Sequence, residues 1–160
     1  MYDRILVPLD GSDLAEQVLP HVELLAEKLG STVILLRATL APGTLIFGTT
    51  AGAEPVAGPV VDPTPVVEAE RREAAVYLET VAERLRRKGL SVEYARAEGP
   101  ADEVVAERAR GLSADLVAMT THGRGGLGRL VFGSVADAVL RNAPCPILLV
   151  RASEASAPQA

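Results

Sequence analysis

The sequence predicts an α/β protein: one domain on a doubly wound, five-stranded parallel sheet of order 3-2-1-4-5, with helices on both faces. Three observations carry this. Five strand-length apolar runs alternate with helix-like stretches along the 160 residues. The first, fourth and fifth runs are apolar on nearly every residue, as parallel strands covered on both faces must be. The composition, 48% hydrophobic and 23% charged, is that of a globular domain, and a 16.7 kDa chain can bury about two thirds of its surface without disulfide or metal support.

The elements follow in order. Ile5–Leu9 is the first strand. Ser12 or Asp13 can cap a helix running to about Leu29, with Leu14, Val18, Val22, Leu25 and Leu29 on one face and Gly30 just past its end. Val33–Leu36 is the second strand. From Thr39 to Pro65 the chain is rich in Gly, Pro, Thr and Ala and poor in charge; it is too long for an ordinary βα connection and reads as a mobile loop or a partner contact. The second helix carries Ala74, Tyr77, Leu78, Val81 and Leu85 at helical spacing and stops at Gly89. Val92–Ala95 is the third strand. Pro100 takes a first-turn position of the third helix, Asp102 and Glu103 sit near its positive end, and it finishes near Gly111. Leu116–Met119 is the fourth strand. Ser134 opens the fourth helix, whose apolar face is Val135, Ala138 and Val139, and Ile147–Val150 is the fifth strand. The domain thus spans 1–151, and the unpatterned stretch 152–160 reads as a disordered tail.

Several function classes are excluded or disfavoured. The single Cys145 allows no intrachain disulfide and no cysteine-rich metal site, and its place between Pro144 and Pro146 reads as a buried, inert thiol. A net charge of -5 gives no support to a nucleic-acid partner. No run approaches the roughly 18 apolar residues of a membrane span, and Met1 to Arg4 lead into a strand with no signal-peptide pattern, so a cytoplasmic location is expected. Only Lys28 and Lys88 are lysines and neither follows a glycine loop, so there is no P-loop of the G-x-x-x-x-G-K-[ST] type.

In an open parallel sheet the ligand site lies beyond the carboxyl ends of the strands where strand order reverses. In the order 3-2-1-4-5 that crevice is bordered by Pro8-Leu9-Asp10-Gly11-Ser12-Asp13 and by the loop from Thr120 to Arg129. The second segment is the more informative. Gly123, Gly125, Gly126 and Gly128 let backbone N–H groups turn toward one point, and Arg124 and Arg129 add positive charge. Gly133-Ser134 then enters a helix, whose free amides and dipole favour an anion. Singly, Ser134 reads as a helix cap and His122 as a structural hydrogen bonder; together, the loop and the helix entry point to phosphate binding. Asp10 can either cap the first helix or accept from a ribose or base.

These residues resemble the universal stress protein family over nearly the whole chain. The carriers are Tyr2 to Ser12, the stretch Asn142 to Arg151, and the spacing from Gly123 through nine residues to Gly133-Ser134, which matches the latter part of the family motif G-x-x-G-x9-G-[ST]. The resemblance implies the five-stranded fold, a homodimer and, in the branch that keeps the motif, ATP binding. By position, Pro8, Leu9 and Asp10 would face the adenosine and Ala38 the adenine, while Gly123, Gly133, Ser134 and Val135 would surround ribose and phosphates. His122, Arg124 and Gly126 complete the expected set. Thr120 stands where the motif has its first glycine, and Arg37-Ala38-Thr39 stands where His-Val is common.

The expected function is therefore binding of ATP, or of AMP or ADP, with or without Mg2+, by a stress-response regulator. Catalysis amounts at most to slow ATP hydrolysis, since no base stands next to a nucleophile. The alternatives are a slow ATP-hydrolysing enzyme and a ligand-free dimeric interaction module. Adenylate-transfer chemistry lacks its H-x-G-H or S-G-G-x-D-S signature here, and a phosphorelay receiver lacks the aspartate after strand 3 and the lysine after strand 5. Ile147–Val150, apolar and at the sheet edge, is the expected dimer contact.

Overall fold

In a computed structural model of the chain, residues 1–39, 41, 64–121 and 133–152 are described. The elements are β1 (Arg4–Pro8), α1 (Asp13–Glu16), α2 (Leu19–Leu29), β2 (Thr32–Thr39), α3 (Thr64–Arg86), β3 (Ser91–Glu98), α4 (Ala101–Gly111), β4 (Leu116–Thr121), α5 (Ser134–Asn142) and β5 (Ile147–Arg151). The sheet order is β3-β2-β1-β4-β5 and every pairing is parallel, as the sequence predicts.

Side-chain alternation along the strands divides the core in two. Ile5, Val7, Val33, Leu35, Leu116 and Ala118 pack under α1, α2 and α3, whereas Leu6, Ile34, Leu36, Val117 and Met119 pack under α4 and α5. The strands interior to the sheet are apolar on both faces because both faces are covered. At β5 the four residues Ile147 to Val150 are only half-buried, the consequence of an edge position.

Several local expectations need correction. The first helix is two: α1 ends at Glu16 and α2 begins at Leu19. Pro20 lacks the N–H that would continue the ladder, and the amides of Gln17 and Val18 turn to carbonyls three residues back, at 3.3 and 3.4 Å. Ser12 rather than Asp13 is the cap, its hydroxyl accepting from the Ala15 amide at 3.1 Å, and Gly30 closes α2 in the left-handed conformation at φ 70°. Leu29, expected on the buried face, is 48% exposed. The segment Thr39 to Pro65 is shorter than expected as a loop, since Thr39 ends β2 and Thr64 begins α3; its interior, except residue 41, lies outside the described residues, as does the tail from 153 on. Pro100 is the N-cap of α4, with Ala101 in the first turn. At α5 the cap is Gly133, so Ser134 is the first helical residue, and Ala136 and Val139 are buried while Val135 is 37% exposed. Cys145 is half-buried rather than buried, and burial with the nearby Asp115 carboxylate pushes its thiol above the usual range.

Candidate functional site

The crevice forms because β1 leaves one neighbour before the other. Against β4 its registered pairs are Ile5 with Leu116 and Leu6 with Val117, but against β2 the pairing runs on to Pro8 with Leu36, and the Leu9 amide still donates to the Leu36 carbonyl at 2.8 Å. β4 stays with β5 to Thr121 and Arg151. The two halves of the sheet therefore part at their carboxyl ends, where the crossovers leave toward opposite faces, as the topological rule requires.

A cleft of about 240 Å³ occupies this opening. Eight of the predicted site residues line it: Pro8, Leu9 and Asp10 after β1, Ala38 on β2, Thr120 on β4, and Gly133, Ser134 and Val135 at the start of α5. His122, Gly123, Arg124 and Gly126, with the rest of the glycine-rich loop, lie outside the described residues. Six lining residues were not singled out: Ala15, Leu36, Ala101, Val105, Met119 and Ala136. Leu36 and Met119 could have been found by following their strands to the carboxyl edge. The others are small or β-branched residues near helix starts, whose side chains carry no chemical signal.

The lining of the cleft has two chemically different parts. Leu36, Ala38, Val105 and Met119 supply apolar surface of a kind that accepts a flat ring. Gly133 to Ala136 are four consecutive residues of the amino end of α5, whose first amides have no intrahelical acceptor and sit at the positive pole of the helix. Gly133, at φ -55° and ψ 152°, caps the helix with no side chain in the way.

Asp10 is exposed, and among the described residues it is the one carboxylate lining the cleft. Its Oδ1 accepts from the Ser12 amide at 2.9 Å and from the Ser12 hydroxyl at 2.6 Å. It does not cap α1 itself but braces the serine that does, an Asx turn that fixes the carboxylate at the rim. Between them, Gly11 holds φ +88°, a conformation that glycine alone adopts without strain.

Behind the turn, on the α3 face, lies a polar cluster the sequence reading did not assemble. The Tyr77 hydroxyl donates to Glu16 Oε1 at 3.0 Å, and Arg84 donates to Glu16 Oε2 at 2.5 Å. The Arg37 guanidinium stands over the Tyr77 ring, 5.4 Å from its centroid. Burial, reinforced by Glu16 and Asp10 and opposed by Arg37, pushes the Tyr77 phenol far above its ordinary value. Among the described residues no group of three His, Cys, Asp or Glu side chains could hold a metal ion, and no helix is long and apolar enough to cross a membrane.

Comparison with known proteins agrees with this architecture. Residues 1–151 match the model of the universal stress protein family. A universal stress protein of Methanocaldococcus jannaschii is 31% identical over 153 residues, covering 94% of this chain and 83% of that one. Among solved structures, a universal stress protein family member from Burkholderia pseudomallei aligns with a TM-score of 0.71 at 27% identity, covering 93% and 96% of the two chains. The fold is also that of an Arabidopsis thaliana family member with AMP bound, at a TM-score of 0.67 and 12% identity over 98% and 95% of the chains.

Proposed function

The chain belongs to the universal stress protein family, and on that premise we propose that it is a nucleotide-binding member, taking ATP into the cleft between β1 and β4. The observation that carries this reading is the pairing of the amino end of α5 with an apolar wall and one carboxylate in a single crevice. Purine against Ala38 and Val105, ribose near Asp10 and phosphates toward Gly133 and Ser134 would use each part for the contact its chemistry suits. In support, the Arabidopsis relative holds AMP, and a universal stress protein of this fold, at a TM-score of 0.64 and 21% identity, is in complex with cAMP.

The residues present fit a nucleotide better than they fit a reaction. Backbone amides and a helix dipole hold phosphate without moving a proton. Asp10 is engaged with Ser12, and no base adjoins a nucleophile among the residues lining the cleft. Mg2+, where it accompanies ATP, would take its ligands from phosphate oxygens and water, and Asp10 is the one carboxylate among the described lining residues that could add to them. The protein then acts in the cytoplasm as a homodimer that reports nucleotide level, with hydrolysis at most slow.

Denaturing freshly purified protein and identifying what it releases tests the reading. ATP, AMP or ADP in near-equimolar amount is the expected result. An empty extract together with a flat ATP titration would replace it with the ligand-free interaction module.

A further inference from the structure

Arg37 lies near the carboxyl end of β2, at a position that points to the α3 face, away from the main wall of the cleft. Its side chain is 11% exposed, an unusual degree of burial for a guanidinium. Among the described residues its partners are the Tyr77 ring and the Glu73 carboxylate at 3.5 Å, the latter itself 72% exposed. A single screened pair and a ring face are modest compensation for placing a cation there. What the burial achieves is to fill the space beside the backbone: a β-carbon added to Gly11 would come within 2.6 Å of Arg37 Nη1 and 3.3 Å of Cζ.

The β1–α1 turn thus has the cleft on one side and the guanidinium on the other. Asp10 lines the cleft, Gly11 rests on Arg37, and Ser12 returns two hydrogen bonds to Asp10. We infer that Arg37 is a positioning residue for the nucleotide site: its guanidinium, seated on the Tyr77 ring, presses on Gly11 and holds the turn in the form that fixes Asp10 at the rim. The inference rests on the nucleotide reading for its effect on affinity, but not for its effect on the turn. A forked group is what this role needs, because one terminal nitrogen, Nη1, lies toward Gly11 while the other, Nη2, reaches Glu73.

The test is a cycle of Arg37→Met, Asp10→Ala and the double variant, with ATP affinity from calorimetry and the amide resonances of Gly11 and Ser12 from NMR of the unliganded protein. Met keeps the length and the contact with Tyr77 while removing the planar cation. Arg37→Met is expected to move the Ser12 amide resonance and to weaken ATP binding roughly tenfold, and to have little further effect once Asp10 is alanine, since residues acting through one group do not add. Unmoved Gly11 and Ser12 resonances overturn the inference whether or not nucleotide binds. So does a loss of affinity that persists undiminished in the Asp10→Ala background, which would mean Arg37 acts on the ligand by another route. A wild-type protein that binds no nucleotide overturns the proposed function instead, and the resonances still decide the positioning role. Should Arg37→Met fail to fold, Arg37→Lys, which keeps the charge but has one terminal nitrogen in place of the fork that serves Gly11 and Glu73 together, is expected to give the same pair of changes.

Discussion

Thr120 lines the crevice where the family motif places glycine, and it is only 8% exposed. Its side chain takes volume from a space that a ribose would enter. Thr120→Gly should therefore tighten ATP binding severalfold, while Thr120→Val, which keeps the volume and removes the hydroxyl, should leave it unchanged; weaker binding by the valine variant in calorimetry would instead assign the hydroxyl a hydrogen bond to the ligand. At the amino end of the strands Asp115 does a structural task. Its carboxylate accepts from the amides of Asp3 at 2.8 Å and Arg4 at 3.0 Å, tying the start of β1 to the start of β4. Burial pushes this carboxyl up, but the amides of Asp3, Arg4 and Asp115 itself outweigh it and hold the group below its ordinary 3.8. A depressed folded-state value means the stabilisation is complete above the unfolded value and is lost as pH falls through the folded one. Asp115→Asn is thus expected to cost about 1 kcal/mol near neutral pH. The difference in thermal midpoint from wild type should shrink as the pH is taken below 3.8. A difference that stays constant into strong acid would remove the charge from the account.

At the scale of elements, the strands were legible because each contains a short apolar run, broken only by Glu93 in β3, and their order follows from two pairs of crossovers on opposite faces. Strand ends were less legible. β2 continues through Arg37, Ala38 and Thr39 and β3 through Arg96, Ala97 and Glu98, where polar side chains conceal a backbone that goes on pairing. The break between α1 and α2 was hidden by a stripe that keeps its spacing across Pro20, since Val18 and Val22 are both buried despite the interruption. The extension of β2 matters for function, because it carries Ala38 to the crevice and Arg37 to the α3 face behind the β1–α1 turn. Of the residues lining the cleft, Asp10, the glycine at the helix entry and Ser134 were legible by a chemical signature, while Pro8 and Leu9 were placed by the end of the first strand and the family resemblance, and Ala38 and Val135 by the resemblance alone. Val105 was not singled out, because a valine on α4 carries no chemical signal, and its place in the cleft lining depends on where β1 parts from β4, which no local pattern encodes. The amino end of α5 supplies the prediction at this scale. Gly133 has ordinary extended torsions, so valine can adopt its backbone conformation. Gly133→Val should leave the fold intact and abolish ATP binding by filling the approach to the first amides of the helix. Unchanged affinity with an unchanged circular dichroism spectrum would place the phosphates elsewhere.

At the scale of the whole molecule, the sheet presents two edges of different character. β3 carries Glu93, Arg96 and Glu98 among its edge residues, and Arg96 and Glu98 are exposed to solvent along with Tyr94. Charges on an edge discourage another strand from pairing there. β5 carries none before Arg151, and Ile147, Leu148, Leu149 and Val150 stay half-buried on a folded chain whose central strands are fully covered. Two copies meeting antiparallel along β5 about a two-fold axis would pair the open backbone groups of both and bury the exposed parts of these side chains, whereas the same operation at β3 would have to desolvate its charged side chains. The expected state is therefore a homodimer through β5. Leu149 packs toward α4 and α5 while remaining partly open, so lysine there can extend its ammonium to solvent in a monomer but would meet its own copy across a two-fold contact. Leu149→Lys should shift sedimentation at micromolar concentration from dimer to monomer with the circular dichroism spectrum retained. A monomeric wild type removes the dimer, and a Leu149→Lys protein that still sediments as a dimer moves the interface away from β5.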